Sequence, residues 1–173
     1  MVKFAILTIS KEVRITKMKL DVSCDLPCEL VQAKQAVKTL GLLNYVATPI
    51  MQFECVDSLE EKTNLEARTY VMKTKLFGFL PLGVHTMEFS YQDSVDQFVM
   101  RDNGRSGLCK KWDHIMTFQE CEQGVHYRDR ADIQAGILTP LIWLFALFFY
   151  KHRQRRWKRL AIYNFRNLNS NIR

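Results

Sequence analysis

Residues 137–150 read ILTPLIWLFALFFY, fourteen positions without a charge, and residues 151–159 follow at once as KHRQRRWKR. The junction admits two folds: a membrane anchor with a basic stop, or a helix buried by the rest of its own chain. A spanning helix takes about 20 mostly apolar residues to cross roughly 30 Å of hydrocarbon. The uncharged run covers about 21 Å at about 1.5 Å per residue. Extending it back to Ile133 takes in Gln134, Gly136, Thr139 and Pro140. Thr139-Pro140 suits a helix start instead, an N-cap followed by proline at the first helical position. Basic residues after the run would leave the C-terminus in the cytoplasm and export everything before it. The opening MVKFAILTISKE has only a short apolar stretch and no small-residue cleavage site to direct that export.

The expectation is therefore a C-terminal helix over 139–166, gripped in its first half and amphipathic in its second. Trp157, Leu160, Ala161, Phe165 and Leu168 fall at helical spacing, and the same face runs back through Gln154 and Tyr150 to Leu147 and Trp143. The first half is apolar all round, which predicts cover on more than one side. The charge follows this division. Residues 1–132 carry 17 Lys and Arg against 18 Asp and Glu, whereas the last 41 residues carry eight basic groups and no acid, so the net +7 belongs to the tail.

Upstream, residues 13–24 read as a strand, with residues 4–9 as its extension. After Asp25-Leu26-Pro27, residues 29–46 read as one or two short helices broken at Gly41. Strand patterns follow at 50–56, 65–77, 84–91, 95–101, 109–118 and 124–133. Turn signals separate them at Asp57-Ser58, Pro81-Leu82-Gly83, Gln92-Asp93-Ser94, Asp102-Asn103-Gly104 and Gln123-Gly124. Short connections favour antiparallel pairing. The predicted architecture is α+β in one domain over 1–173: a curved antiparallel sheet of about seven strands, two short helices after the first strand, and a long terminal helix. Residues 1–12 read as an extension and 167–173 as a flexible tail.

Alternation sorts the strand residues into faces. His85, Met87, Phe89 and Tyr91 share one face, as do Trp112, His114, Met116 and Phe118, and Val125, Tyr127, Asp129, Ala131 and Ile133. Pointed at the helix, these faces mix aliphatic, aromatic and a few polar groups, as small-molecule pockets do. The predicted lining is His85, Met87, Phe89, Tyr91, Trp112, His114, Met116, Tyr127, Trp143, Leu147 and Tyr150. His85 and His114 are the candidates for acid–base work, set against the plainer role of hydrogen-bonded core histidines. An inward Asp129 has to be paired; an arginine of the tail helix, such as Arg153, or neighbouring strand backbone is the expected partner.

Here the chain resembles a known group. Gly107-Leu108-Cys109-Lys110-Lys111-Trp112-Asp113-His114-Ile115-Met116-Thr117-Phe118 looks like the G-x-x-x-x-W-x-H-x-x-x-F segment of START-like helix-grip ligand-binding proteins, the group that includes the birch pollen allergen and polyketide cyclase relatives. Tyr127-Arg128-Asp129-Arg130 and the stretch through Gly136 are similar to that group's final strand, with Asp129-Arg130-Ala131-Asp132-Ile133 in place of D-x-V-x-Y. FFYKHRQRRWKRL resembles its closing helix. The likeness spans residues 14–165. It implies a cavity between sheet and helix that takes hydrophobic molecules such as lipids, isoprenoids or polyketides. Some relatives cyclise or dehydrate them, and others carry or sense.

Other chemistry finds little footing. Five cysteines (Cys24, Cys28, Cys55, Cys109, Cys121) without a secretion signal fit reduced thiols in the cytoplasm. Cys24 and Cys28 lack the second half-site of a zinc centre, so no metal or cofactor is expected. Nucleophile elbow, P-loop, dinucleotide fingerprint and HExxH are all missing from the sequence. Lys151, Arg155, Arg156 and Arg159 read as a solvated helix face or as contacts to anionic lipid. Only Trp157 and Tyr163 interleave with them, and a nucleic-acid partner is not expected.

Overall fold

The computed structural model describes residues 17–56, 64–166 and 168. Its strands are β1 (Lys17–Leu26), β2 (Met51–Cys55), β3 (Thr69–Leu76), β4 (Leu80–Asp93), β5 (Gln97–Ser106), β6 (Lys111–Cys121) and β7 (Gly124–Gln134). Helices α1 (Leu30–Val37) and α2 (Leu40–Ala47) connect β1 to β2, and a single 3-10 turn, Gly136–Leu138, leads into α3 (Thr139–Ile162). The seven strands form one antiparallel sheet in the order β1-β7-β6-β5-β4-β3-β2. Its two edges are drawn together: β1 packs on α3, β2 packs on α2, and α2 packs on α3. The sheet thereby curves around the long helix, the α+β arrangement expected from the sequence.

The alternation that marks a half-buried strand is plainest in β3, β5 and β7, where every second side chain is buried. Hairpins set the register. The β6–β7 turn places Gly124 at φ 121°, where an added Cβ would sit 2.4 Å from the Leu26 carbonyl oxygen, so this corner takes glycine alone. The inner surface packs an aromatic stack against the second half of α3. Phe118 and Tyr127 lie 4.7 Å apart, and Trp157, fully buried, sits 5.5 Å from each. Such pairs contribute about 0.5–1.5 kcal/mol beyond burial.

Several boundaries differ from the sequence expectation. The break between the short helices falls at Thr39, whose Oγ1 accepts from the Leu42 N–H (3.1 Å), and Gly41 lies inside α2. Pro81-Leu82-Gly83 and Asp102-Asn103-Gly104 are not turns but parts of β4 and β5; the β3–β4 turn is at Phe77-Gly78, both at positive φ (52° and 78°). Thr139 is the first helical residue rather than the cap, and its Oγ1 donates to the Gly136 carbonyl (2.7 Å) while accepting from the Ala135 N–H (2.9 Å). The helix ends at Ile162 instead of 166. Asn164 and Phe165 turn left-handed (φ 48° and 57°), which folds the Phe165 ring back to 6.1 Å from Trp157. The first half of α3 is covered from the β1 edge and from the cavity side, as expected, but Leu141, Leu144 and Phe148 stay exposed. No helix among the described residues is long and apolar enough to cross a membrane. The expected extension over 1–12, the strand at 4–9, the Asp57-Ser58 turn and most of the tail lie outside the described residues.

Candidate functional site: a cavity under the long helix

Between the inner face of the sheet and the first half of α3 lies a cavity of about 170 Å³. Its walls are mostly apolar: Met87 and Phe89 from β4, Met100 from β5, Met116 from β6, Ile142, Phe145 and Phe149 from α3, and Leu42 from α2. Leu108, on the β5–β6 connection, borders the cavity while more than half exposed, and so marks its open side. Among the predicted lining residues, His85, Met87, Phe89, Trp112, His114, Met116 and Tyr150 border this space.

Tyr91, Tyr127, Trp143 and Leu147 do not border it. The Tyr91 hydroxyl donates to the Leu65 carbonyl, and Trp143 Nε1 donates to the Lys19 carbonyl (2.8 Å), tying α3 to the β1 edge. Leu147 packs against the buried Leu20, Ala131 and Tyr150. Tyr127 belongs to a buried polar cluster beneath the cavity. There Asp129 Oδ1 accepts from the Tyr127 hydroxyl (2.6 Å) and lies 2.8 Å from His114 Nε2, while Oδ2 accepts from Gln154 Nε2 (3.0 Å). Gln154 Nε2 also donates to the Val22 carbonyl (2.9 Å), so the cluster ties β1, β6, β7 and α3 together. Asp129 is thus partnered by the side chains of His114, Tyr127 and Gln154, and not by either expected partner, a tail-helix arginine such as Arg153 or neighbouring strand backbone. Burial alone would raise its pKa, but the hydrogen bonds and the nearby Arg153 charge outweigh that and hold the carboxylate ionised. Burial keeps His114 neutral, so its Nε2–H donates to Asp129. That engagement occupies His114 structurally.

Thr74 and Ser106 also line the cavity but are engaged by the Gly83 carbonyl and the Cys109 N–H, and three other polar groups face it. Arg153, only 6% exposed, projects from α3 beside the Phe149 and Tyr150 rings (5.8 and 5.4 Å) and points Nη2 at the Met116 sulfur (3.7 Å), while its Nε has no hydrogen-bond partner. Asp102, 5% exposed, enters from β5, and its Oδ1 likewise has no partner. It stands where the β4–β5 ladder opens: Thr86 pairs Arg105 and Phe89 pairs Asp102, but the two pairs between are missing. The Glu88 N–H released there serves the Asp102 carboxyl. Burial pushes Asp102 up to about 8, and the attraction of Arg153 and the Glu88 N–H offsets only part of it. At neutral pH the carboxyl is largely protonated and can donate.

The third group is His85. Its imidazole lies over Gly104 so closely that a Cβ there would meet Nε2 at 2.6 Å and Asp102 Oδ1 at 3.4 Å. Burial lowers His85 to about 4, so it is neutral at physiological pH, and its ring has no hydrogen bond among the described residues. Above these groups Trp112 Nε1 donates to the Tyr150 hydroxyl (2.9 Å), closing off that wall. The cavity is thus a greasy box with a guanidinium, a protonated carboxyl and a neutral imidazole facing into it.

Asp102 and Arg153 line the cavity in addition to the residues that the alternation points toward it. The period-2 signal for Asp102 is present, since Phe98, Met100, Asp102 and Gly104 are the buried side of β5, but Asp-Asn-Gly reads as a turn when the strand's length is unknown. The helical spacing of Tyr150, Arg153, Gln154 and Trp157 carries the corresponding signal for Arg153, all four being buried.

A curved antiparallel sheet closed on a long C-terminal helix, with a cavity between them, is the helix-grip fold of the Bet v 1-like proteins. Solved structures bear this out. Ara h 8.0201 has a TM-score of 0.59 at 9% identity, over 85% of this chain and 99% of that one. Protein CV1439 from Chromobacterium violaceum gives 0.57 at 14%, over 83% and 96%. Truncated norcoclaurine synthase from Thalictrum flavum gives 0.57 at 8%, over 85% and 94%. Identities this low establish the fold alone. Residues 25–161 match the family described as Domain of unknown function (DUF8410), and the chain belongs to that family. No curated protein matches the sequence.

Proposed function

We propose that this protein binds a compact apolar molecule carrying an oxygen acceptor at one end, with that end held between Asp102 and Arg153. One observation carries the reading. Two side chains, each about 95% buried, leave Oδ1 and Nε unpartnered, and both border the same apolar cavity. An unmet buried polar group costs about 1–3 kcal/mol, more when charged, so a pair facing one space supports an occupant that satisfies both. Arg153 donates, and protonated Asp102 donates or accepts, which suits a carboxylate, phenol or carbonyl oxygen.

Size narrows the class. A dry cavity of about 150 Å³ accommodates benzene, whereas pockets for drug-sized ligands run to about 300–1,000 Å³. At about 170 Å³ the space suits one or two rings, and a longer lipid or isoprenoid requires α3 or the Leu108 connection to move. A carrier or sensor role is favoured over turnover. His114 is committed to Asp129, and His85, held near pKa 4, is a weak base at neutral pH. A cyclase or dehydratase would therefore rest on His85 alone.

The test is a titration of purified protein with 2-naphthol and 2-naphthoic acid, followed by the fluorescence of Trp112 in the cavity wall, alongside native mass spectrometry for a co-purifying small molecule. Saturable binding that Arg153→Met weakens at least tenfold is expected. Binding unchanged in Arg153→Met and in the cavity-filling Met100→Trp would overturn the proposal.

A further inference from the structure

The outward side of α3 carries a feature that the cavity does not use. Ile137, just before the helix, and Leu141, Leu144 and Phe148 on it are 82%, 66%, 45% and 64% exposed. Spacings of four, three and four residues set them in one line, about 16 Å long. Single exposed apolar residues are ordinary, but a contiguous row of large ones marks a contact surface. The same line continues down the helix as Lys151, Arg155 and Lys158, with Arg159 beside them, all exposed. None of these four cations forms an ion pair among the described residues. Arg156 is different: its Nε donates to the Tyr45 carbonyl (2.6 Å) and its guanidinium covers the Tyr45 ring at 4.1 Å, so it braces α2 and leaves the outer face.

The division along the axis selects the occupant. A second copy in parallel would set Lys151 and Arg155 against their own kind, and an antiparallel copy would bury those charges against Leu141 and Leu144. A bilayer with anionic headgroups meets both halves, with acyl boundary for the apolar row and lipid phosphate for the cations. The row is also continuous with the cavity wall, because Ile142 and Phe145, neighbours of Leu141 and Leu144, border the cavity.

We propose that α3 docks the protein on an anionic membrane surface, with Ile137, Leu141, Leu144 and Phe148 dipped into the acyl boundary and Lys151, Arg155 and Lys158 on lipid phosphates. The helix then lies along the surface with its first half deeper, and the cavity wall built by Ile142 and Phe145 faces toward the bilayer. This stands apart from the ligand reading, since it requires nothing of Asp102 or Arg153.

The experiment is co-sedimentation of the full chain with vesicles of phosphatidylcholine alone and of phosphatidylcholine with about one-third phosphatidylglycerol, at low salt and at about 0.5 M salt. Binding to the anionic vesicles that salt weakens is expected. Leu141→Glu/Phe148→Glu abolishes it, and Lys151→Gln/Arg155→Gln/Lys158→Gln lowers the partition coefficient on the order of 100-fold. Because these side chains are exposed, melting temperatures without vesicles stay unchanged. Equal binding to both vesicle types, or no binding, overturns the proposal. So does a solution dimer that Leu141→Glu/Phe148→Glu dissociates, which assigns the row to a second copy. A melting temperature lowered by several degrees in that variant assigns it to cover by the chain itself and overturns the proposal equally.

Discussion

Asp102→Asn is expected to stabilise the protein, and to do so more strongly as pH rises. The carboxyl is buried beside Arg153 without an ion pair, and its pKa stands at about 8 against an ordinary 3.8. A raised folded-state pKa contributes stability that is present below pH 3.8 and is lost as pH climbs to about 8, because across that window the unfolded chain has released a proton that the folded chain retains. Each pH unit inside the window costs about 1.36 kcal/mol. By pH 7 the native protein has given up about 4 kcal/mol relative to a neutral side chain of the same shape. The sharpest measure is the change between pH 5 and pH 7. Whatever Asn gains or loses in packing and hydrogen bonding is the same at both, so the difference isolates the proton at about 3 kcal/mol. Urea unfolding of both proteins at pH 5, 6 and 7, read by tryptophan fluorescence, measures it; Trp157 is fully buried and reports on the core. A variant that is destabilised by the same amount at every pH would mean that Asp102 is ionised and paired with Arg153, and the account of the cavity's polar end would be wrong.

Three further outcomes follow from the same geometry. Gly104→Ala places a methyl 2.6 Å from His85 Nε2, so the imidazole is driven into the cavity, 2-naphthol affinity falls about tenfold, and His85→Ala in the same chain restores it; overpacking costs of about 1–3 kcal/mol set that scale. Gln154→Leu removes the donor to Asp129 Oδ2 and to the Val22 carbonyl and should cost about 2–4 kcal/mol in urea unfolding, whereas wild-type stability would show the cluster to be dispensable. His85, lowered to about 4 from 6.5, has the opposite sign to Asp102. Its stability is complete above pH 6.5 and drains away as pH falls toward 4, by up to about 3 kcal/mol, and His85→Gln should flatten that decline in acid unfolding curves.

The sheet was legible because period-2 alternation over ten or so residues survives small errors at strand ends, and β6 and β7 fall within a few residues of where their patterns lie. The helix was legible for the complementary reason: Tyr150, Gln154, Trp157, Leu160 and Ala161 keep one buried face through a segment rich in arginine. Partner choice was less legible. Alternation places Asp129 inward and in need of a partner, but it is met by His114 and Tyr127 from the sheet and by Gln154 from the helix, one position from Arg153. Neighbouring helix residues point about 100° apart, so a one-residue choice decides whether a side chain enters the Asp129 cluster or the cavity. The polar end of the cavity was hidden by a local signal with a tertiary meaning. Asp102-Asn103-Gly104 has turn composition, yet the strand runs through it because Gly104 vacates the volume that His85 fills. Asp102 then faces inward at the point where the β4–β5 ladder has opened. A glycine that serves side-chain packing and a glycine that serves a turn look alike in sequence. Only the partner strand distinguishes them, and here it also determines whether an acid is solvated at a hairpin tip or buried opposite an arginine.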